Sequence, residues 1–279
     1  MNKLFLLLKG FLIGVANIIP GVSGGTLAIT LGIYEKLIDI VVHPFKNLKE
    51  NIKFLIPIGL GAVFAVLLLS NIINYCLDNY NMATTFFFVG LILGGVPVIF
   101  NKIKSHIKSP SNVSIFLLTF ILVILFSVLN AGNNTVSFTN MNLISYLLLF
   151  LVGVIAAATM VIPGISGSFV LMLLGYYNSI IETISNLSKF QNIITNMLIL
   201  IPFGIGVIVG IVLISKIIEY LLKRFNIKTY FAIFGFVLSS MVGIIIKISD
   251  FSFSFSSILL SLVTLVIGTL ITTKLGEMK

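Results

Sequence analysis

Ile19-Pro20-Gly21-Val22-Ser23-Gly24 recurs 143 residues later as Ile162-Pro163-Gly164-Ile165-Ser166-Gly167. The register holds without a gap through Leu31-Gly32 with Leu174-Gly175, Tyr34 with Tyr177, and Asp39 with Glu182. Further on, an offset of 145 pairs Leu55-Ile56-Pro57 with Leu200-Ile201-Pro202, Gly59 and Gly61 with Gly204 and Gly206, Ser70 with Ser215, and Tyr75 with Tyr220. Thr84, Phe86 and Gly90 match Thr229, Phe231 and Gly235 in that same register. Apolar runs align by chance, but Pro, Gly, Ser and Tyr in step do not. The chain reads as two copies of one unit, residues 1–140 and 141–279, within one membrane domain.

The surroundings of the two motifs say where they sit. Of 279 residues, 58% are hydrophobic and 9% charged, whereas a soluble domain carries about 25% charged residues. Apolar segments fall at 4–19, 26–42, 54–76, 84–100, 113–130, 143–162, 168–181, 196–222, 229–247 and 255–273. Several reach the roughly 20 residues that cross a bilayer core. The fold class is an all-α polytopic membrane protein. The start, Met1-Asn2-Lys3 before the apolar run Leu4 to Val15, has the look of a signal peptide. An equivalent segment recurs inside the chain, so it reads as structural. Cys76 is the single cysteine, which excludes an intrachain disulfide.

Proline has no amide donor and glycine weakens a helix interior, so the Pro20-Gly21 and Pro163-Gly164 clusters each break a helix at membrane depth. Loop charge sets the direction of the broken pieces. Lys36, Lys46, Lys49 and Lys53 mark one loop and Lys102, Lys104 and Lys108 another, while 77–83 and 131–142 hold neither Lys nor Arg. Placing the basic loops in the cytoplasm makes 4–42 a re-entrant hairpin followed by three transmembrane helices. The second unit, hairpin 143–181 and three more helices, then runs inverted, with both termini cytoplasmic. The corner that holds Asp78 and Asn79 in the first unit holds Lys223, Arg224 and Lys228 in the second, as inversion requires. Lys189 and Lys247 fall outside, at a small cost. A broken helix that crosses once is the rival, and it puts the Lys-rich loop 36–53 on the wrong side.

Helix breaks in a bilayer leave backbone groups unpaired, which is tolerated where protein or a watery cavity surrounds them. Ser23 and Ser166 stand where an N-cap belongs, and the following amides and dipole end favour an anion such as phosphate. Transporters with inverted repeats use this construction; tight packing of the turns is the structural alternative. Asn17 and Thr26 flank the first break. Lys9 lies in the first arm, either snorkelling or facing a substrate. Lys216 and Glu219 are expected to pair on one helix face. Glu35, Asp39 and Glu182 follow the second arms and read as proton or sodium carriers, or as interfacial acids.

Other chemistries fit less well. Gly21-Val22-Ser23-Gly24-Gly25 matches the hydrolase pattern G-x-S-x-G, but that elbow needs a soluble strand–turn–helix setting, and its serine needs a base. The two histidines, His43 and His106, lie in charged loops. The glycine-rich turns lack the G-K-[ST] of a nucleotide loop, so no nucleotide is expected. The net charge of +9 comes from short loops rather than from a basic face that would track nucleic acid. No enzyme activity, metal or cofactor is expected, and the residues leave open a lipid phosphate or a small soluble anion as cargo.

Ala16-Asn17-Ile18-Ile19-Pro20-Gly21-Val22-Ser23-Gly24-Gly25-Thr26, with Leu31-Gly32-Ile33-Tyr34-Glu35, closely resembles the bacterial PopT family. Ile162-Pro163-Gly164-Ile165-Ser166-Gly167-Ser168-Phe169 and Leu174-Gly175-Tyr176-Tyr177 match it too, and the resemblance covers essentially the whole chain. It implies a translocase that returns undecaprenyl phosphate, a polyprenyl-phosphate carrier lipid, from the outer to the inner leaflet of the bacterial cytoplasmic membrane for cell-envelope synthesis. Two hairpins entering from opposite faces would offer such a phosphate one site reachable from either side, with Ser23, Gly24, Gly25 and Thr26, and Ser166, Gly167 and Ser168, expected to cradle it and Lys9 to neutralise part of its charge. Many relatives carry an acid at the positions of Asn17 and Asn178, which shifts any ion-coupling role here toward Glu35.

Overall fold

A computed structural model describes residues 2–18, 23–129, 135–138, 141–246, 248 and 254–277. Every regular element among them is helical. Seven of the resulting spans are long and apolar enough to cross a membrane. The first unit contributes α1 (Lys3–Ile18), α2 (Gly24–Thr30), α3 (Tyr34–Val42), α4 (Leu48–Asn79), α5 (Asn81–Leu93), α6 (Val96–Ile103) and α7 (Pro110–Val128). The second contributes α8 (Leu143–Val161), α9 (Gly167–Leu173), α10 (Tyr177–Ser188), α11 (Ile193–Arg224), α12 (Asn226–Ile246) and α13 (Phe255–Glu277).

Three apolar segments expected to be continuous are broken. The second arm of each hairpin, 26–42 and 168–181, divides into α2 and α3 and into α9 and α10. Gly32 and Gly175 make the turns at φ 70° and 78°, in the left-handed region that glycine enters without a Cβ penalty. Segment 84–100 divides into α5 and α6 around Gly94-Gly95, with Pro97 in the first turn of α6. Gly95 gives way there to Thr30, against which any side chain would collide. The helices α4 and α11 instead outrun the expected 54–76 and 196–222. Each has 32 residues, roughly 48 Å at 1.5 Å per residue, because polar turns at both ends extend them past the apolar core. Pro57 and Pro202 lie inside them at matching places.

Close helix contact in a bilayer relies on small residues that let backbones approach, and the repeat sets them in pairs. α1 packs along α4, with Gly10 over the Ile58 backbone and Gly61 over Leu7. α8 packs along α11 in the same manner, with Gly153 over Phe203 and Gly206 over Phe150. The later helices cross between units. α5 lies on α13, where Gly90 meets Leu265, and α12 lies on α7, where Gly235 meets Phe116. One pairing departs from this regularity: α11 carries both α10 of its own unit and α3 of the other.

Candidate functional site

The two motifs meet. Thr26, fully buried in α2, accepts a 2.8 Å hydrogen bond at Oγ1 from the backbone N–H of Gly164. Gly164 has φ 85° and presses on the Phe236 backbone. The Tyr34 hydroxyl, at the start of α3, donates to the Val161 carbonyl at 3.0 Å, where α8 ends. Gly25 packs against the same stretch: a Cβ there would stand 3.2 Å from the carbonyl oxygens of both Met160 and Val161. Pro163 and Gly164 thus occupy the turn between α8 and α9, while Pro20 and Gly21 lie outside the described residues.

Around this junction is a cavity of about 650 Å³. Its polar floor holds Asn17, Ser23, Gly24 and Gly25 from one unit and Ser166, Gly167 and Ser168 from the other. Its walls are apolar: Leu37, Ile38 and Val41 of α3, Ile180, Ile181 and Ile184 of α10, and Phe203, Val207 and Ile211 of α11. Met160, Ile181 and Ile184 line it and are 54%, 48% and 47% exposed. On that side the cavity reaches the apolar exterior of the bundle.

Ser23 and Ser166 take the N-cap positions of α2 and α9 with nearly identical backbone angles, φ −96° and ψ 124° against φ −94° and ψ 125°. Their side chains do not cap, contrary to expectation. The Ser166 hydroxyl pairs with that of Ser168 at 2.8 Å. The Ser23 hydroxyl is buried and has no hydrogen-bond partner among the described residues. The first helical bonds run from Leu27 N–H to the Ser23 carbonyl and from Val170 N–H to the Ser166 carbonyl. The amides of Gly24 and Gly25, and of Gly167 and Ser168, therefore have no acceptor inside their own helices. Asn17 closes on this turn, since a Cβ on Gly24 would stand 2.7 Å from its Oδ1.

The remaining expected site residues lie elsewhere. Lys9 is buried but does not line the cavity; its ammonium donates to the Leu31 carbonyl at 3.0 Å, at the C-terminal end of α2. Glu35 makes an exposed 2.6 Å ion pair with Lys102, whose ammonium also meets the Tyr230 hydroxyl. Asp39 and Glu182 also stand away from the lining, with Glu182 exposed. The expected Lys216–Glu219 pair does not form: Glu219 bonds His43 at 2.9 Å and Lys223 at 2.6 Å. Neither histidine is among the cavity-lining residues, so the G-x-S-x-G serine has no imidazole beside it there. Ser215 is a cavity-lining residue that sequence reasoning misses. It lines the cavity, and its buried hydroxyl has no partner among the described residues. Its pairing with Ser70 in the repeat is the one signal that points to it.

A hydroxyl-and-amide floor under apolar walls suits an anionic head on a hydrocarbon tail. Residues 13–257 match the model of a family described as undecaprenyl phosphate translocase-like. The chain belongs to that family. Among curated proteins, a polyprenyl-phosphate transporter of Staphylococcus aureus is 33% identical over 278 residues, spanning 97% of this chain and 95% of that protein. A polyprenyl-phosphate transporter of Vibrio cholerae is 30% identical over 257 residues, spanning 86% of this chain and 77% of that one. No solved structure gives a significant match. Within this translocase family, the matched region takes in both motifs and all the cavity-lining residues.

Proposed function

We propose that this chain moves undecaprenyl phosphate between the leaflets of the bacterial cytoplasmic membrane, returning the carrier lipid to the inner face. The observation that carries the reading is the junction of the two motifs at the floor of one apolar-walled cavity. Phosphate oxygens accept from the Ser23 and Ser166 hydroxyls and from the amides at the starts of α2 and α9 that have no acceptor within their own helices. Such hydrogen bonds to a charged group are about twice as strong as neutral ones. Asn17 and Ser168 complete the floor, and Ser215 stands higher on the α11 wall. The prenyl chain leaves along α10, where Ile181 and Ile184 border both cavity and exterior.

The two units, 1–140 and 141–279, lie inverted in the bilayer with both termini cytoplasmic. The matched packing of α1 on α4 and α8 on α11, and the exchange of α5–α13 for α7–α12, support two equivalent units; the change from Asp78 and Asn79 to Lys223 and Arg224 at the same corner supports their inversion. Under inversion, docking α3 on α11 is one of two equivalent arrangements. In the other, α10 docks on α4 and the floor faces the opposite leaflet. Switching between them gives alternating access to one phosphate site. An exposed rim of apolar side chains favours a lipid over a soluble anion, whose path would be closed and polar.

Purified protein in liposomes carrying labelled undecaprenyl phosphate tests the reading. Faster change of leaflet than in protein-free vesicles is the expected result. Equal rates, with and without an ion gradient, would overturn it.

A further inference from the structure

Asp39 on α3 and His43, the residue that caps the C-terminal end of that helix, stand four positions apart and face Glu219 on α11. One ligand atom from each lies within 4.8 Å of the other two. Two carboxylates and an imidazole make a set suited to a divalent transition metal. The imidazole separates this cluster from an ordinary acidic patch. His43 Nε2 and Glu219 Oε1 are 2.9 Å apart, a hydrogen bond in the ion-free state; tetrahedral ligands with metal bonds of about 2.0–2.2 Å stand roughly 3.3–3.6 Å apart, so the two atoms need separate by only about half an ångström to admit an ion. We infer that Asp39, His43 and Glu219 bind a zinc-like divalent ion that clasps α3 to α11. Charge and protons balance. Lys223, whose side chain is 70% exposed, supplies the positive charge at Glu219 when no ion is bound and swings into solvent when one is. The imidazole binds in its neutral form, so uptake releases whatever proton it carried. A water completes the coordination at this partly exposed position.

The placement gives the clasp a consequence. Val41, between Asp39 and His43, and Ser215, one turn before Glu219, both line the cavity. An ion here ties two cavity walls, one from each unit, at one end of the α3–α11 contact. That consequence rests on the transport reading; the binding site does not.

Zinc chloride titrated calorimetrically into tag-free detergent-purified protein is the test. One equivalent should bind and raise the thermal midpoint. H43A and E219Q should each weaken binding by at least about tenfold, the loss typical of disturbing even an outer-shell partner. H106A, at the only other histidine, should leave binding unchanged, and circular dichroism should confirm that all three variants fold. No binding by the wild type, undiminished binding by H43A and E219Q, or loss with H106A would overturn the site. In liposomes, zinc should slow lipid translocation in wild type and not in H43A; an unchanged wild-type rate despite binding would overturn the clasp alone.

Discussion

Thr26 Oγ1 accepts from the Gly164 N–H at 2.8 Å, joining the two motif regions through residues 138 positions apart in the chain. The bond lies in a fully buried position, where an amide without a partner costs about 1–3 kcal/mol. T26V keeps the shape and removes the acceptor, so it should destabilise the protein by that amount in thermal or denaturant unfolding. T26S should stay near wild type. Equal stability of T26V and wild type would show that the bond contributes little to holding the motifs together.

Ser23 should behave in the opposite way. Its hydroxyl has no partner among the described residues, so S23A forfeits no bond to any of them and should unfold at the wild-type midpoint or slightly above. Translocation of undecaprenyl phosphate should nevertheless fall by about tenfold or more, since a hydrogen bond to a charged group contributes about 1.5–3 kcal/mol. Normal translocation by S23A would remove this hydroxyl from the phosphate site.

Glycines two positions apart should differ sharply. Gly61 and Gly206 lie against the backbones of Leu7 and Phe150, whereas a Cβ added at Gly59 or Gly204 would meet nothing within 4 Å. G61A and G206A force helices apart and should cost about 1–3 kcal/mol. G59A and G204A should be neutral or stabilising by up to about 1 kcal/mol, the helix-interior preference for alanine. Melting of the four variants in one detergent decides it.

Glu35 and Lys102 form an exposed pair outside the cavity, and such pairs contribute about 0–1 kcal/mol. E35Q should therefore keep translocation within about twofold of wild type, with its dependence on an imposed proton or sodium gradient unaltered. Loss of gradient dependence in E35Q would return this acid to the transport cycle.

Inversion makes a prediction of sidedness. Asn79 and Arg224 end the equivalent helices α4 and α11, yet should lie on opposite faces. In a Cys76→Ser background, N79C should react with an impermeant thiol reagent added outside intact cells, and R224C only after permeabilisation. Labelling of both from one side would refute the inverted arrangement.

Much of this was legible in the residues alone. Low charge and long apolar runs determined an all-helical membrane chain, and Pro, Gly and Ser in register marked a motif that occurs twice in it. They also located the turn between α8 and α9 at Pro163 and Gly164, because backbone chemistry at proline and glycine is local. The turns at Gly32 and Gly175 and the break at Gly94-Gly95 were written in the same alphabet but read as continuous helix, since a single glycine is tolerated where packing does not demand a turn. Which side chains share a space was not local at all. Lys9, read as snorkelling or as facing a substrate, bonds the end of α2; Glu219, read as the partner of Lys216, reaches His43 instead. Only the tertiary structure decided that Thr26 would hold Gly164, that Ser215 would line the cavity while its repeat partner Ser70 does not, and that α3 would dock on α11. A repeated sequence specifies equivalent pieces, whereas their contacts depend on how the two copies pack, and two like halves need not pack alike.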